Sequence, residues 1–143
     1  MSLEVELRIQ KGIRDAEDEI VTAIETALDK KNYGKSGKDK LEESQFRNLL
    51  NVATSTDSPE VVKNFLRYQT GRDKKWGQGE GSLAEAIIHD IQKLLKIKAE
   101  TIAKNANVTE GIEAKTKEIH IDLIRRYLGY GSRHLVYKKL TNI

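Results

Sequence analysis

The side chains with chemistry to offer are cations. Lys63, Arg67, Thr70 and Lys74 are spaced by four, three and four, so a helix that carries them through Gly71 places them on one face. Arg72 and Lys75 extend the charge at the end of that helix. A row of ammonium and guanidinium groups can neutralise phosphates along a strand. Cations near a helix C-terminus are also favoured by the dipole, by about 0.3–1 kcal/mol each. That effect accounts for Arg72 to Lys75 but not for Lys63 and Arg67. Trp76 beside them either stacks on a base or packs under the glycine-rich WGQGEGS segment. A second basic region, RRYLGYGSRHLVYKK, sets Arg125, Arg126, Arg133, Lys138 and Lys139 among Tyr127, Tyr130 and Tyr137. Aromatic rings among cations suit single-stranded nucleic acid, whose bases stack while its phosphates pair. The same tyrosine spacing suits a packed helix edge.

Enzymatic constellations are incomplete. YGKSGK resembles the end of a phosphate-binding loop, but Asp29 stands where the first glycine belongs, and a helix rather than a strand precedes it. His89, His120 and His134 are scattered. His89-Asp90 and His120-x-Asp122 lack a second histidine at helical spacing, and the chain has no cysteine to complete a metal set. Arg47-Asn48 opens in the style of a helical ribonuclease, yet the histidine expected near Val52 is missing, and adjacent Arg133 and His134 point in different directions. Glu17 to Glu19 and the pair Glu42 and Glu43 read as solvated. Ser44, Ser55 and Ser82 serve better as caps than as nucleophiles. No nucleophile, base and orienting group occur together. The expectation is a chain that is not an enzyme and needs no cofactor or metal.

The elements that must position these cations are helices. Ile9, Ile13, Ala16, Ile20, Ile24 and Leu28 form one apolar stripe of a long amphipathic helix over about 3–28, locally weakened by Gly12. A mobile, lysine-rich loop follows near 30–40. A second helix is expected over about 41–53, with Phe46, Leu49, Leu50 and Ala53 on one side. Ser58-Pro59-Glu60 is a strong start for a third helix. That helix ends near Gly71, with Val61, Phe65 and Tyr68 turned from the cationic row. After a flexible link near 76–82, Ser82 and Glu85 form a capping-box pattern. The fourth helix carries Leu83, Ile87, Ile88, Ile91, Leu94 and Leu95. A fifth helix opens near Thr109 and ends at Gly129 and Gly131, and Ser132 starts a short sixth. The expectation is all-α, a single-domain bundle of five to six helices over 1–143.

Charge is uneven along the 143 residues although the net is only +3. Residues 1–30 hold eight acids and four bases, residues 115–143 hold seven bases and two acids, and no acid follows Leu123. An acidic start with a basic middle and tail suggests a polyanionic partner. The acidic first helix would then face a neighbouring copy's basic surface in a head-to-tail row. Absent cysteines exclude disulfides and thiol catalysis. Glu4, Glu6 and Arg8 come too early for a signal peptide, and no apolar run is long enough to span a membrane; the expectation is a cytoplasmic chain.

Two segments, SQFRNLLNVA (44–53) and EVVKNFLRYQTGRDKKW (60–76), carry a family pattern. A helix opens with Gln45-x-Arg47-x-Leu49, and a later hydrophobic-basic helix ends in Tyr68, Gln69, Gly71, Arg72 and Asp73. This resembles the helical small subunit of type III (Csm-type) CRISPR effector complexes, which act in antiviral defence. The resemblance covers roughly a quarter of the chain. It implies a non-catalytic part that stacks in several copies along the duplex of guide RNA and target RNA, beside the other effector subunits. Such a part holds the backbone while other subunits cut. By position it carries over Arg47, Lys63, Arg67 and Arg72 as RNA contacts. Lys74, Arg125, Arg126 and Arg133 are added from charge alone. A second reading is a helical nucleic-acid- or protein-binding adaptor, and a third is a helical ribonuclease.

Overall fold

Every member of the first apolar stripe is buried. Ile9, Ile13, Ala16, Ile20, Ile24 and Leu28 line one side of α1 (Leu3–Asn32) and enter the core. The computed structural model describes residues 2–32, 41–77 and 79–141. The phosphate-loop fragment and most of the lysine-rich loop lie outside the described residues.

α2 spans Glu43–Ser55 and α3 spans Pro59–Arg72. α2 starts later than its apolar spacing suggests because Gln45 Oε1 accepts the Glu42 N–H at 3.1 Å. Ser58 caps α3 by accepting the Val61 N–H at 3.3 Å, with Pro59 in the first turn. α3 stops at Arg72, where Asp73 turns the chain into a 3₁₀ turn at Lys74–Trp76. Trp76 is buried and its ring centroid lies 6.1 Å from that of Phe46, so the packing alternative holds for this residue.

α4 occupies residues 83–105. It is α-helical over Leu83–Asp90, widens into a π turn at Ile91–Leu95, and is α-helical again over Lys96–Asn105. Ser82 caps it through the Glu85 N–H at 3.1 Å. α5 is one helix over Ile112–Thr141 and packs on all the others. The expected break at Gly129 and Gly131 does not occur. A Cβ on Gly131 would come within 2.7 Å of both Ile24 and Phe46, so this glycine lets α5 press against α1 and α2. Its reason is close packing rather than helix termination.

The result is five helices around a single core, with no strand among the described residues. No helix of the described residues is long and apolar enough to cross a membrane.

Candidate nucleic-acid interface

Helical phase decides which cations reach solvent. Pro59, Val62, Lys63 and Leu66 form the buried face of α3. Lys63 follows Val62 and precedes Leu66 by three, which puts it on the rim of the inward face. It is 9% exposed, and its Nζ sits 2.5 Å from Glu60 Oε2. The expected outer row of Lys63, Arg67, Thr70 and Lys74 is therefore corrected. Thr70 returns its hydroxyl to the Leu66 carbonyl at 2.9 Å, and Lys74 lies beyond the helix on the 3₁₀ turn.

What α3 shows to solvent is a mixed aromatic and cationic strip. Arg67, Tyr68 and Arg72 are exposed, with Val61 beside them. The Arg72 guanidinium lies 5.4 Å over the Tyr68 ring, and Nη1 donates to the Tyr68 hydroxyl at 3.2 Å. Phe65 supports Tyr68 from below, with ring centroids 6.4 Å apart. Among the described residues, no carboxylate lies within 4.0 Å of Arg67, Arg72 or Lys74. Arg47 is exposed on α2 and reaches Glu43 at 3.2 Å.

The tail arginines divide. Arg125 is a clamp. Its Nε donates to the Ala53 carbonyl at 2.8 Å, and Nη2 donates to the Thr56 carbonyl at 2.8 Å and to Asp57 at 3.2 Å. These bonds satisfy carbonyls at the end of α2 that the helix itself leaves open. Arg126 bonds Asp122 at 2.9 Å and Glu17 at 3.4 Å, and Tyr130 donates to the same Glu17 at 3.1 Å. Both arginines are half-exposed, and their hydrogen bonds go to carbonyls and carboxylates of this same chain. Arg133 is exposed. Its neighbour His134 is turned toward Asp29 at 2.7 Å and Glu25 at 3.5 Å, so the two side chains do diverge.

Charge asymmetry along the chain is largely settled within it. Glu6 pairs with Lys115, Glu17 with Arg126, Glu19 with Lys98, and Asp29 with His134 and Lys138. Glu4 and Asp15 pair within α1. The acidic face of α1 is thus engaged by α4 and α5 of the same chain. This removes the argument from charge for a head-to-tail row.

Burial shifts two groups at the α4–α5 seam. Tyr127 is buried and donates to Asp90 Oδ2 at 2.6 Å; burial, then the nearby carboxylate, pushes the phenol well up. Burial raises the Asp90 carboxyl against the lowering pull of that hydrogen bond. The pair fastens α4 to α5 just before the π turn. Among the described residues, no three His, Asp or Glu side chains converge as metal ligands would.

Sequence reasoning passed over a third cationic region. Lys93, Lys96 and Lys104 of α4 and Lys117 of α5 meet Lys63 and His120 around one groove. Lys93, Lys96, Glu100 and Lys104 recur at three, four and four, so the α4 stripe was readable. Its meeting with α3 and α5 was not.

No protein-family model, curated protein or solved structure matches the chain.

Proposed function

We propose that this chain is a non-catalytic RNA-binding small subunit of a type III CRISPR effector complex, holding the guide RNA–target RNA duplex by its backbone. The observation that carries this reading is the strip on α3. Arg67 and Arg72 flank an exposed tyrosine, and neither is neutralised by a carboxylate among the described residues. Guanidinium groups pair with phosphate oxygens, and a ring beside them offers a stacking surface to an unpaired base. Lys74 extends the strip past the end of α3, while Arg47 and Arg133 add exposed charge on α2 and α5. Contacts of this kind position a strand without reading its sequence. Cutting belongs to other subunits in this reading, and the cell compartment is the cytoplasm, where the complex meets transcripts.

The test is affinity purification of the tagged chain from its native host, with the bound RNA sequenced. The expected result is intact guide RNA together with several larger effector subunits. Recovery of the chain without guide RNA, or RNA degradation by the purified chain, contradicts the reading.

A further inference from the structure

The groove between α3, α4 and the first half of α5 is open to solvent and has a volume of about 770 Å³, within the range of small-molecule sites. Lys63 enters it from α3, Lys93, Lys96 and Lys104 from α4, and Lys117 and His120 from α5. Glu60, Glu100 and Glu113 share the lining, so the five lysines leave it positive. Of the three buried polar or charged residues among those described, Lys63 and His120 are two, and both face this groove. Burying such groups costs free energy unless a partner compensates. Glu60 holds the Lys63 ammonium in place. His120 Nε2 lies 2.8 Å from the Ile91 carbonyl, at the first residue of the π turn. A carbonyl only accepts, so the proton sits on Nε2 and the neutral ring keeps Nδ1 as an acceptor. No buried side-chain nitrogen or oxygen among the described residues lacks a partner, so Nδ1 reaches solvent. A π turn at the wall fits the frequent placement of such turns at functional sites. Ile112, 39% exposed, adds an apolar surface at the rim.

We propose that this groove binds a compact polyphosphate ligand of nucleotide size, with the lysines of three helices meeting its phosphates and Ile112 meeting its apolar part. Ammonium point charges converging from three helices suit dense negative charge in a small volume better than an extended strand. The residues differ from those of the α3 strip, so the proposal stands apart from the RNA-backbone reading. Its chemistry has two sources: a free nucleoside triphosphate, or the 5′-triphosphate end of an RNA.

The experiment is titration calorimetry of the full chain with ATP and with inorganic tripolyphosphate, without divalent metal, alongside ¹H–¹³C spectra of the His120 ring. Lys96→Glu with Lys117→Glu tests the groove, and Lys11→Glu with Arg14→Glu, on α1 and outside both the groove and the α3 strip, serves as the control; all four side chains are exposed, so the folds persist. The expected result is saturable binding of both probes, movement of the His120 signals, and affinity lower by roughly tenfold or more in the groove variant only. Displacement of ATP by 5′-triphosphate RNA, but not by the 5′-hydroxyl form, assigns the ligand to an RNA end. Displacement by neither RNA assigns it to a free nucleotide. Lack of saturation, static His120 signals, equal losses in both variants, or displacement by 5′-hydroxyl RNA would each overturn the proposal.

Discussion

Gln45 Nε2 donates to Asp73 Oδ2 at 2.5 Å, and this bond fastens the start of α2 to the end of α3. The two residues belong to the two segments, 44–53 and 60–76, on which the expectation of a CRISPR small subunit rests. Asp73 also accepts the Lys75 N–H at 3.0 Å and so fixes the turn that carries Lys74. Its place in YQTGRDK is explained by shaping the strip rather than by touching RNA. Asp73→Ala should lower stability by about 1–2 kcal/mol in urea unfolding. Asp73→Asn, which keeps an accepting oxygen, should lose less. Equal stability of Asp73→Ala and the parent chain would show that the bond does not fasten these helices.

Arg125→Lys should also destabilise the chain, by about 1.5–3 kcal/mol, because one ammonium cannot reach both carbonyls that the guanidinium fork spans. RNA affinity of the folded variant should stay unchanged. A variant of normal stability that no longer binds RNA would return Arg125 to the interface.

The two glycines of α5 should respond in opposite directions. Gly131→Ala forces a methyl group against Ile24 and Phe46 and should cost about 1–3 kcal/mol. Nothing lies within 4 Å of a Cβ at Gly129, so Gly129→Ala should add about 0.5–1 kcal/mol. Thermal unfolding of both variants reads the signs directly.

Stability should fall as pH drops below about 6.5, the ordinary histidine value, through His120. Burial is the main cause that lowers its pKa, the Ile91 hydrogen bond opposes it, Lys96 and Lys63 lower it further, and Glu100 raises it. In this window the unfolded chain binds the extra proton more readily, so its contribution is full above the unfolded value and shrinks toward the folded one. Urea midpoints at pH 7.5 and 5.5 should differ less for His120→Gln than for the parent. An identical pH dependence would remove His120 as the cause.

The fold was legible where one apolar stripe dominates. In α1 the residues three and four apart admit a single inward face, and that face is buried. In α3, VVKNFLRYQ admits two phases: Val61, Phe65 and Tyr68 inward, or Val62 and Leu66 inward. Contacts with α2, α4 and α5 select the second, which draws Lys63 in and turns Tyr68 out. Gly131 read as a helix end because the methyl-sized gap it leaves exists only when α1 and α2 are present. The part Arg125 and Arg126 play between helices was hidden for the same reason: apart from Asp122, four positions from Arg126, their acceptors lie 68 or more positions away, at Ala53, Thr56, Asp57 and Glu17.

Binding of fluorescent RNA by the parent chain and by Arg67→Glu with Arg72→Glu, measured across a series of salt concentrations, tests the central claim most directly. The parent should bind unrelated RNA sequences with similar affinity, and each lost single-strand phosphate contact should flatten the salt slope by about 0.7. The double variant should fold normally and bind far more weakly. Undiminished binding by that variant, or affinity that ignores salt, would contradict the account.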